Sequence, residues 1–177
     1  MAEEQGKKEE EKFEFTPEGE ALGYISLDQA RVLAHPEQVL GGGEWSLLQS
    51  LLAKRAKREP LAVIIGKCEF WGLDFAVTAD TLVPRPESET LIEAALAEPF
   101  ARVLDLGTGS GCILVTLLAD RLNATGIGVD LSEAACLQAS ANAVLHDVQA
   151  RADIRQSDWF AAVEGKFDLI VSNPPYI

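Results

Sequence analysis

Apolar positions along this chain change rhythm several times, and each change predicts a different kind of structure. Over 1–20 they are sparse among eight acids and three lysines, which predicts an acidic, disordered leader where only Phe13 and Phe15 can pack locally. Over 21–60 the rhythm is helical and predicts a short helical N-terminal segment. Ser26-Leu27-Asp28-Gln29 reads as a capping box opening a helix through Ala30, Val32 and Leu33 that Pro36 ends. Gly41, Gly42 and Gly43 read as a flexible joint. Ser46-Leu47-Leu48-Gln49 then reads as a second box, opening a helix with Leu47, Leu48, Leu51 and Leu52 on one face. Lys54, Arg55, Lys57 and Arg58 suit the negative end of that helix, and Pro60 stops it.

Over 61–87 the pattern predicts a hairpin and a connecting loop. Val63 to Val77 is rich in β-branched and aromatic residues and is broken at Gly66 and Gly72, so it reads as a strand pair carrying Phe70, Trp71 and Phe75. Thr81 to Glu87 is extended, because Pro84 and Pro86 each push the preceding residue out of the helical region.

From Ser88, read as the cap of a helix through Leu91, Ile92, Ala95 and Leu96, strands and helices alternate. Arg102–Leu106 is a short apolar strand, Gly107–Gly111 a glycine turn, and Cys112–Ala119 a helix apolar nearly all round and therefore buried. Ala124–Val129 is a second strand ending in Asp130, and Ser132 caps a helix reaching about Leu145. Arg151–Arg155 and Phe167–Val171 are a third and a fourth strand. This alternation predicts an α/β domain over 88–177 with a parallel sheet, whose ligands bind at the carboxyl ends of the strands.

Composition narrows the partners. The 177 residues carry a net charge of -13, so broad attachment to nucleic acid or anionic lipid is disfavoured, and five of the excess negatives sit in the leader. No apolar run is long enough for a membrane span. Cys68, Cys112 and Cys136 lack CxxC spacing, and His35 and His146 lack partners at ligand spacing, so neither a disulfide framework nor a metal site is expected. The amino-terminal stretch has no apolar core of a signal peptide, which makes the cytoplasm the expected location.

The chemistry gathers at the strand ends. Asp105-Leu106-Gly107-Thr108-Gly109-Ser110-Gly111 follows a strand and opens a helix, the setting a nucleotide-type glycine loop needs. No Lys-Ser/Thr pair follows, so it is not a P-loop. A pyrophosphate would meet the carboxylate of Asp105, whereas a cofactor bearing an ammonium group would be attracted to it. Asp130 is placed to accept from two ribose hydroxyls, Asp158 from an adenine amino group, and Trp159 to supply a stacking face. Together these acids and the turn describe an adenosine carrying an amino acid, S-adenosyl-L-methionine.

Asn173-Pro174-Pro175-Tyr176 follows the fourth strand, which is expected beside the first and facing the same crevice. An amide or aromatic amino nitrogen is a poor nucleophile because its lone pair is delocalised. The Asn173 side-chain oxygen and the Pro174 carbonyl can each accept one N–H and turn that lone pair towards a methyl group. Pro174 and Pro175 stiffen the loop, and Tyr176 stacks on the planar substrate.

Residues from about 46 to 177 resemble the bacterial protein-(glutamine-N5) methyltransferases that modify peptide chain release factors. The resemblance rests on Glu69-Phe70-Trp71-Gly72-Leu73, Val83-Pro84-Arg85-Pro86-Glu87, Asp105 to Gly111, Ser157-Asp158-Trp159-Phe160 and Ser172 to Ile177. It implies a Rossmann-like class I methyltransferase sheet preceded by a small helical domain, and the glutamine of a release factor's Gly-Gly-Gln loop as substrate. By match, Gly107 to Gly111, Asp130 and Trp159 line the cofactor, and Asn173 to Tyr176 hold the glutamine amide. Residues 1 to about 45 do not resemble that helical domain. The family's sheet continues beyond its fourth strand, so the expectation is a C-terminally truncated domain with four parallel strands and an uncovered edge. Two rivals follow: a nucleic-acid amino-methyltransferase acting on adenine N6 or cytosine N4, with Lys54 to Arg58 as phosphate contacts, and a noncatalytic cofactor-binding fragment.

Overall fold

The computed structural model describes residues 41–173. The expected leader over 1–20, the helix opening at Ser26, and Pro174, Pro175 and Tyr176 lie outside the described residues. The chain divides into two compact units, 1–65 and 66–177.

In the first unit, helix α1 (Gly42–Ala56) is followed by a short helix α2 (Leu61–Ile65). Two expectations are corrected here. The glycines are not a joint: Gly41 is the N-cap, its N–H donates to Glu44 Oε2 at 2.9 Å, and the helix starts at Gly42. Ser46 is the fifth residue of the helix, its hydroxyl spent on the Gly42 carbonyl at 3.0 Å, so it opens nothing. Backbone satisfaction by Glu44 outweighs the weak helix propensity of the glycines. Likewise Val63 to Ile65 are helical rather than extended, because Pro60 presets the first turn and its carbonyl accepts from Ile64 N–H at 3.0 Å.

The second unit opens with an antiparallel hairpin, β1 (Lys67–Phe70) and β2 (Leu73–Ala76), in which Phe70 faces Leu73. Its two-residue turn has φ of 54° at Trp71 and 73° at Gly72, the left-handed pair that matches strand twist. Trp71 is held there by its N–H donating to Glu89 Oε1 at 3.0 Å. Phe70 and Phe75 pack edge to face in the core, as their hairpin positions predict.

The segment expected to be extended as far as Glu87 instead closes into a 3-10 turn at Pro86–Ser88, because a proline preset at a φ of about -65° suits a first helical position as well as an extended one. It leads into α3 (Glu89–Ala97), then β3 (Arg102–Leu106), α4 (Cys112–Asp120), β4 (Thr125–Asp130), α5 (Glu133–Leu145), β5 (Ala152–Gln156) and β6 (Leu169–Ser172). The four later strands form one parallel sheet in the order β5-β4-β3-β6. The predicted alternating α/β domain is therefore present, and the fourth of these strands does lie beside the first. Period two sorts β3 cleanly: Val103 joins the cluster under the helices, while Leu104 and Leu106 join Ile127 and Val129 on the opposite face. On the helix side β4 presents glycines. A Cβ at Gly126 would come within 2.5 Å of Leu114, and one at Gly128 within 2.9 Å, so bare backbone there lets α4 sit close to the sheet. Helix α4 is buried from Cys112 to Leu118, as its apolar run requires. Among the described residues no helix is long and apolar enough to cross a membrane.

Candidate functional site

Sheet register brings the carboxyl ends together: Leu106 stands opposite both Val129 and Ser172, and Asp130 opposite Gln156. The chain leaving β3 turns at once. Gly107, Gly109 and Gly111 have φ of 72°, 55° and 79°, values that L side chains rarely adopt. At Gly111 space is closed as well, since a Cβ would lie 2.9 Å from the Ala139 Cβ on α5. At Gly109 the opposite holds. A Cβ there meets nothing within 4 Å, so it would project into the open cavity that this turn lines.

Most of the turn's amides are spent inside the protein. Gly107 and Thr108 both donate to the Val129 carbonyl at 2.8 and 2.9 Å, Gly111 to the Thr108 carbonyl at 2.8 Å, and Gly109 to Asp130 Oδ2 at 2.9 Å. An anion would find few free donors here, unlike in a phosphate-binding loop. Asp130 also accepts from Ser132 N–H at 2.9 Å through Oδ1. Two amides thus fix the carboxylate, and one lone pair on each oxygen remains for a ligand.

Asp105 is wholly buried, with Oδ2 accepting from the Thr108 hydroxyl at 2.7 Å and Oδ1 left without a partner. Burial pushes its carboxyl up to about 6, against the opposing pull of the Thr108 hydroxyl. Cys112, at the start of α4, is pushed up to about 12 chiefly by burial, so it offers no thiolate.

These strand ends border a cavity of about 640 Å³. Its lining includes Gly107 to Ser110, Asp130 and Asn173 on the sheet side, and the connecting segment Asp80 to Arg85 with Ser88 on the other. Its volume is within the usual range for small-molecule sites. Ser110 Oγ is buried without a hydrogen-bond partner, and a ligand's polar group would satisfy it. A second cavity, of about 500 Å³, lies at the amino ends of the strands around Arg102, Gly126 and Ala152, far from the glycine turn.

Comparison with known proteins decides the family. Residues 86–177, more than half of the chain, match the family described as "Methyltransferase small domain". The chain belongs to the methyltransferase small domain family. In front of this methyltransferase small domain, residues 22–66 match the family described as "PrmC N-terminal domain". That match corrects the expectation that nothing before about residue 45 resembles the family's helical domain; the sequence there carries no short motif that shows such kinship to the eye.

Curated relatives include the release factor glutamine methyltransferase of Cereibacter sphaeroides, 55% identical over 153 residues that cover 86% of this chain and 55% of the relative. That of Rhodospirillum rubrum is 48% identical over 156 residues, covering 86% and 48%. The chain spans about half the length of the curated relatives it matches. Among solved structures, the tRNA (uracil-54, C5)-methyltransferase of Pyrococcus abyssi superposes with a TM-score of 0.52 at 19% identity, over 62% of this chain and 28% of that one, which shows a shared fold.

Within the methyltransferase small domain, the cavity gathers Gly107, Thr108, Gly109, Ser110, Asp130 and Asn173 from the residues singled out in the sequence. Asp105 lies outside the lining and touches Thr108, which is part of it. Gly111 is the N-cap of α4, packed against Ala139. Asp158 and Trp159 are exposed beyond β5 and outside the cavity lining, with Trp159 at a φ of 49°. Their loop is nonetheless tied to the site, because Ser157 N–H donates to the Asp130 carbonyl at 2.9 Å.

Two residues escaped sequence reasoning. Asn142, fully buried on α5, accepts from Ala76 N–H at 2.9 Å and donates to the carbonyls of Ala76 and Ser110 at 2.9 and 2.8 Å, joining the hairpin to the glycine turn. Gln138, one turn earlier on the same buried face, donates to the Ala76 carbonyl as well, at 2.9 Å, and this polar pair at i, i+4 among alanines was the available signal. Ser88 is the other, and its expected role is corrected. It has helical angles (φ -69°, ψ -16°) and makes no capping bond, since an N-cap needs extended backbone to aim its oxygen at the first turn. Its hydroxyl instead accepts from Asn173 Nδ2 at 2.6 Å.

Proposed function

We propose that this chain transfers a methyl group from S-adenosyl-L-methionine to the side-chain amide nitrogen of a glutamine in a peptide chain release factor, at the Gly-Gly-Gln loop. The observation that carries it is the single cavity bordered by both the glycine turn with Asp130 and by Asn173. The names of the curated relatives support the substrate. Release factors act where translation does, so the proposed setting is the cytoplasm, and nucleic acid is not the acceptor.

The donor set fits the cofactor. Asp130 keeps free lone pairs for ribose hydroxyls, Ser110 Oγ awaits a partner, and bare Gly109 leaves room for a ligand's close approach. Buried Asp105 provides negative potential for an ammonium group through the turn it anchors, while Asp158 and Trp159 are assigned the adenine end. Bound there, S-adenosyl-L-methionine supplies an electrophilic methyl on a sulfonium. The residues of the chain do the rest. Asn173 Oδ1 and the Pro174 carbonyl each accept a hydrogen bond from one N–H of the glutamine amide, which turns the nitrogen lone pair out of conjugation and aims it. Pro175 holds that loop stiff, and Tyr176 covers the planar amide. Positioning of this kind lowers the barrier without any ionised base.

The test is to incubate the chain with methyl-labelled S-adenosyl-L-methionine and either purified release factor or DNA, and to locate the methyl by mass spectrometry. A glutamine product that disappears in Asn173→Ala is expected. Transfer to DNA, or cofactor binding with no transfer to either, contradicts the proposal.

A further inference from the structure

The Asn173 side chain is held by a residue 85 positions earlier in the chain, and the details of that contact are specific. Ser88 closes the 3-10 turn after Pro84-Arg85-Pro86-Glu87, is 7% exposed, and lines the cavity together with Asn173. Freed from capping by its helical backbone, its hydroxyl accepts from Asn173 Nδ2 at 2.6 Å. Both partners are anchored independently. Next to Ser88, Glu89 is bonded to Trp71 N–H in the hairpin turn at 3.0 Å, and Ser88 N–H donates to the Arg85 carbonyl at 2.9 Å. Next to Asn173, the Ser172 hydroxyl donates to the Leu106 carbonyl at 2.8 Å, which pins the end of β6 to β3.

An amide side chain has one donor end and one acceptor end. With Nδ2 committed to Ser88, rotation about the last side-chain bond is stopped and Oδ1 is left as the end available to a ligand. The proposed chemistry needs the acceptor end, because a glutamine N–H cannot bond to the NH₂ of Asn173 in its place. We propose that Ser88 is a positioning residue that fixes the Asn173 amide with its oxygen towards the substrate nitrogen. This rests on the methyl-transfer function proposed above for its consequence in catalysis, and on the hydrogen bond alone for its geometry.

The experiment has two arms on the full chain. In the first, the side-chain amide protons of Asn173 are followed by NMR in ¹⁵N-labelled wild type, Ser88→Ala and Ser88→Thr. One proton shifted downfield and slow to exchange is expected in wild type and Ser88→Thr, with that signature lost in Ser88→Ala. An Asn173 amide indifferent to Ser88→Ala overturns the proposal. In the second arm, kcat on release factor is expected to fall about tenfold in Ser88→Ala while KM for the cofactor stays within about twofold, and to recover in Ser88→Thr. In an Asn173→Ala background, Ser88→Ala should leave cofactor affinity by calorimetry unchanged. A further loss of affinity in that background means Ser88 acts elsewhere and sinks the proposal. If the wild type transfers no methyl to release factor, the functional reading falls, and the NMR arm still decides whether Ser88 orients Asn173.

Discussion

The ends of β3 and β6 lie side by side, with Leu106 opposite Ser172, yet they are held by different means. Beyond β3, the glycine turn is fixed by close packing and by bonds to the adjacent strand: Gly111 against Ala139, Asp105 to Thr108, and two amides on the Val129 carbonyl. Beyond β6, Asn173 is half-buried and its orientation depends on one side-chain bond to a distant loop. The first end is built into the core and should resist change until it unfolds. The second can lose its geometry while the fold stays intact, as suits the substrate-facing role proposed for it.

Substitutions can break or sharpen that contrast. The largest effect is expected at Gly111→Ala, which combines an unfavourable φ of 79° with overpacking against Ala139 and should cost about 3 kcal/mol in urea unfolding. Next is the buried acid. The Asp105 carboxyl rises from 3.8 when unfolded to about 6 when folded, so the unfolded state ionises first and stability drains away as pH climbs from about 4 to about 6. Asp105→Asn removes that loss. Its stability relative to wild type should therefore grow across this window by up to about 3 kcal/mol and level off above it, as urea titrations at several pH values would read.

Asn142→Ala takes the side-chain partner from the Ala76 N–H and the Ser110 carbonyl, while the Ala76 carbonyl keeps the Gln138 amide at 2.9 Å, and should cost about 2 kcal/mol, with weaker cofactor binding by calorimetry because the turn loses its tie to α5. Ser88→Ala comes last, below about 1 kcal/mol in the same unfolding assay. A large loss of stability there would erase the distinction between the two strand ends.

Much of this was legible beforehand, and the reason is local spacing. The four parallel strands, the glycine turn, Asp130 at the end of β4 and Ser132 as the cap of α5 (its hydroxyl accepts from Ala135 N–H at 3.3 Å) all declare themselves within a few residues of sequence. What escaped is set by distance or by competition. Asn142 contacts Ala76 from 66 residues away, and Ser88 contacts Asn173 from 85, so no window of sequence contains either pair. At α1, Glu44 capturing the Gly41 amide beats the propensity that made three glycines read as a joint. At α2, Val63 to Ile65 show that β-branched composition yields to a proline-started turn.

The central claim is that one cavity, at the carboxyl ends of the strands, takes the cofactor and presents it to Asn173. The direct measurement is a titration of the ¹⁵N-labelled chain with S-adenosylhomocysteine, followed amide by amide. Shifts should concentrate at Gly107 to Ser110, Asp130 and Asn173, with Gly126 and Ala152 at the opposite cavity unmoved. Shifts gathered at that opposite cavity, or none at any saturating concentration, would contradict the account.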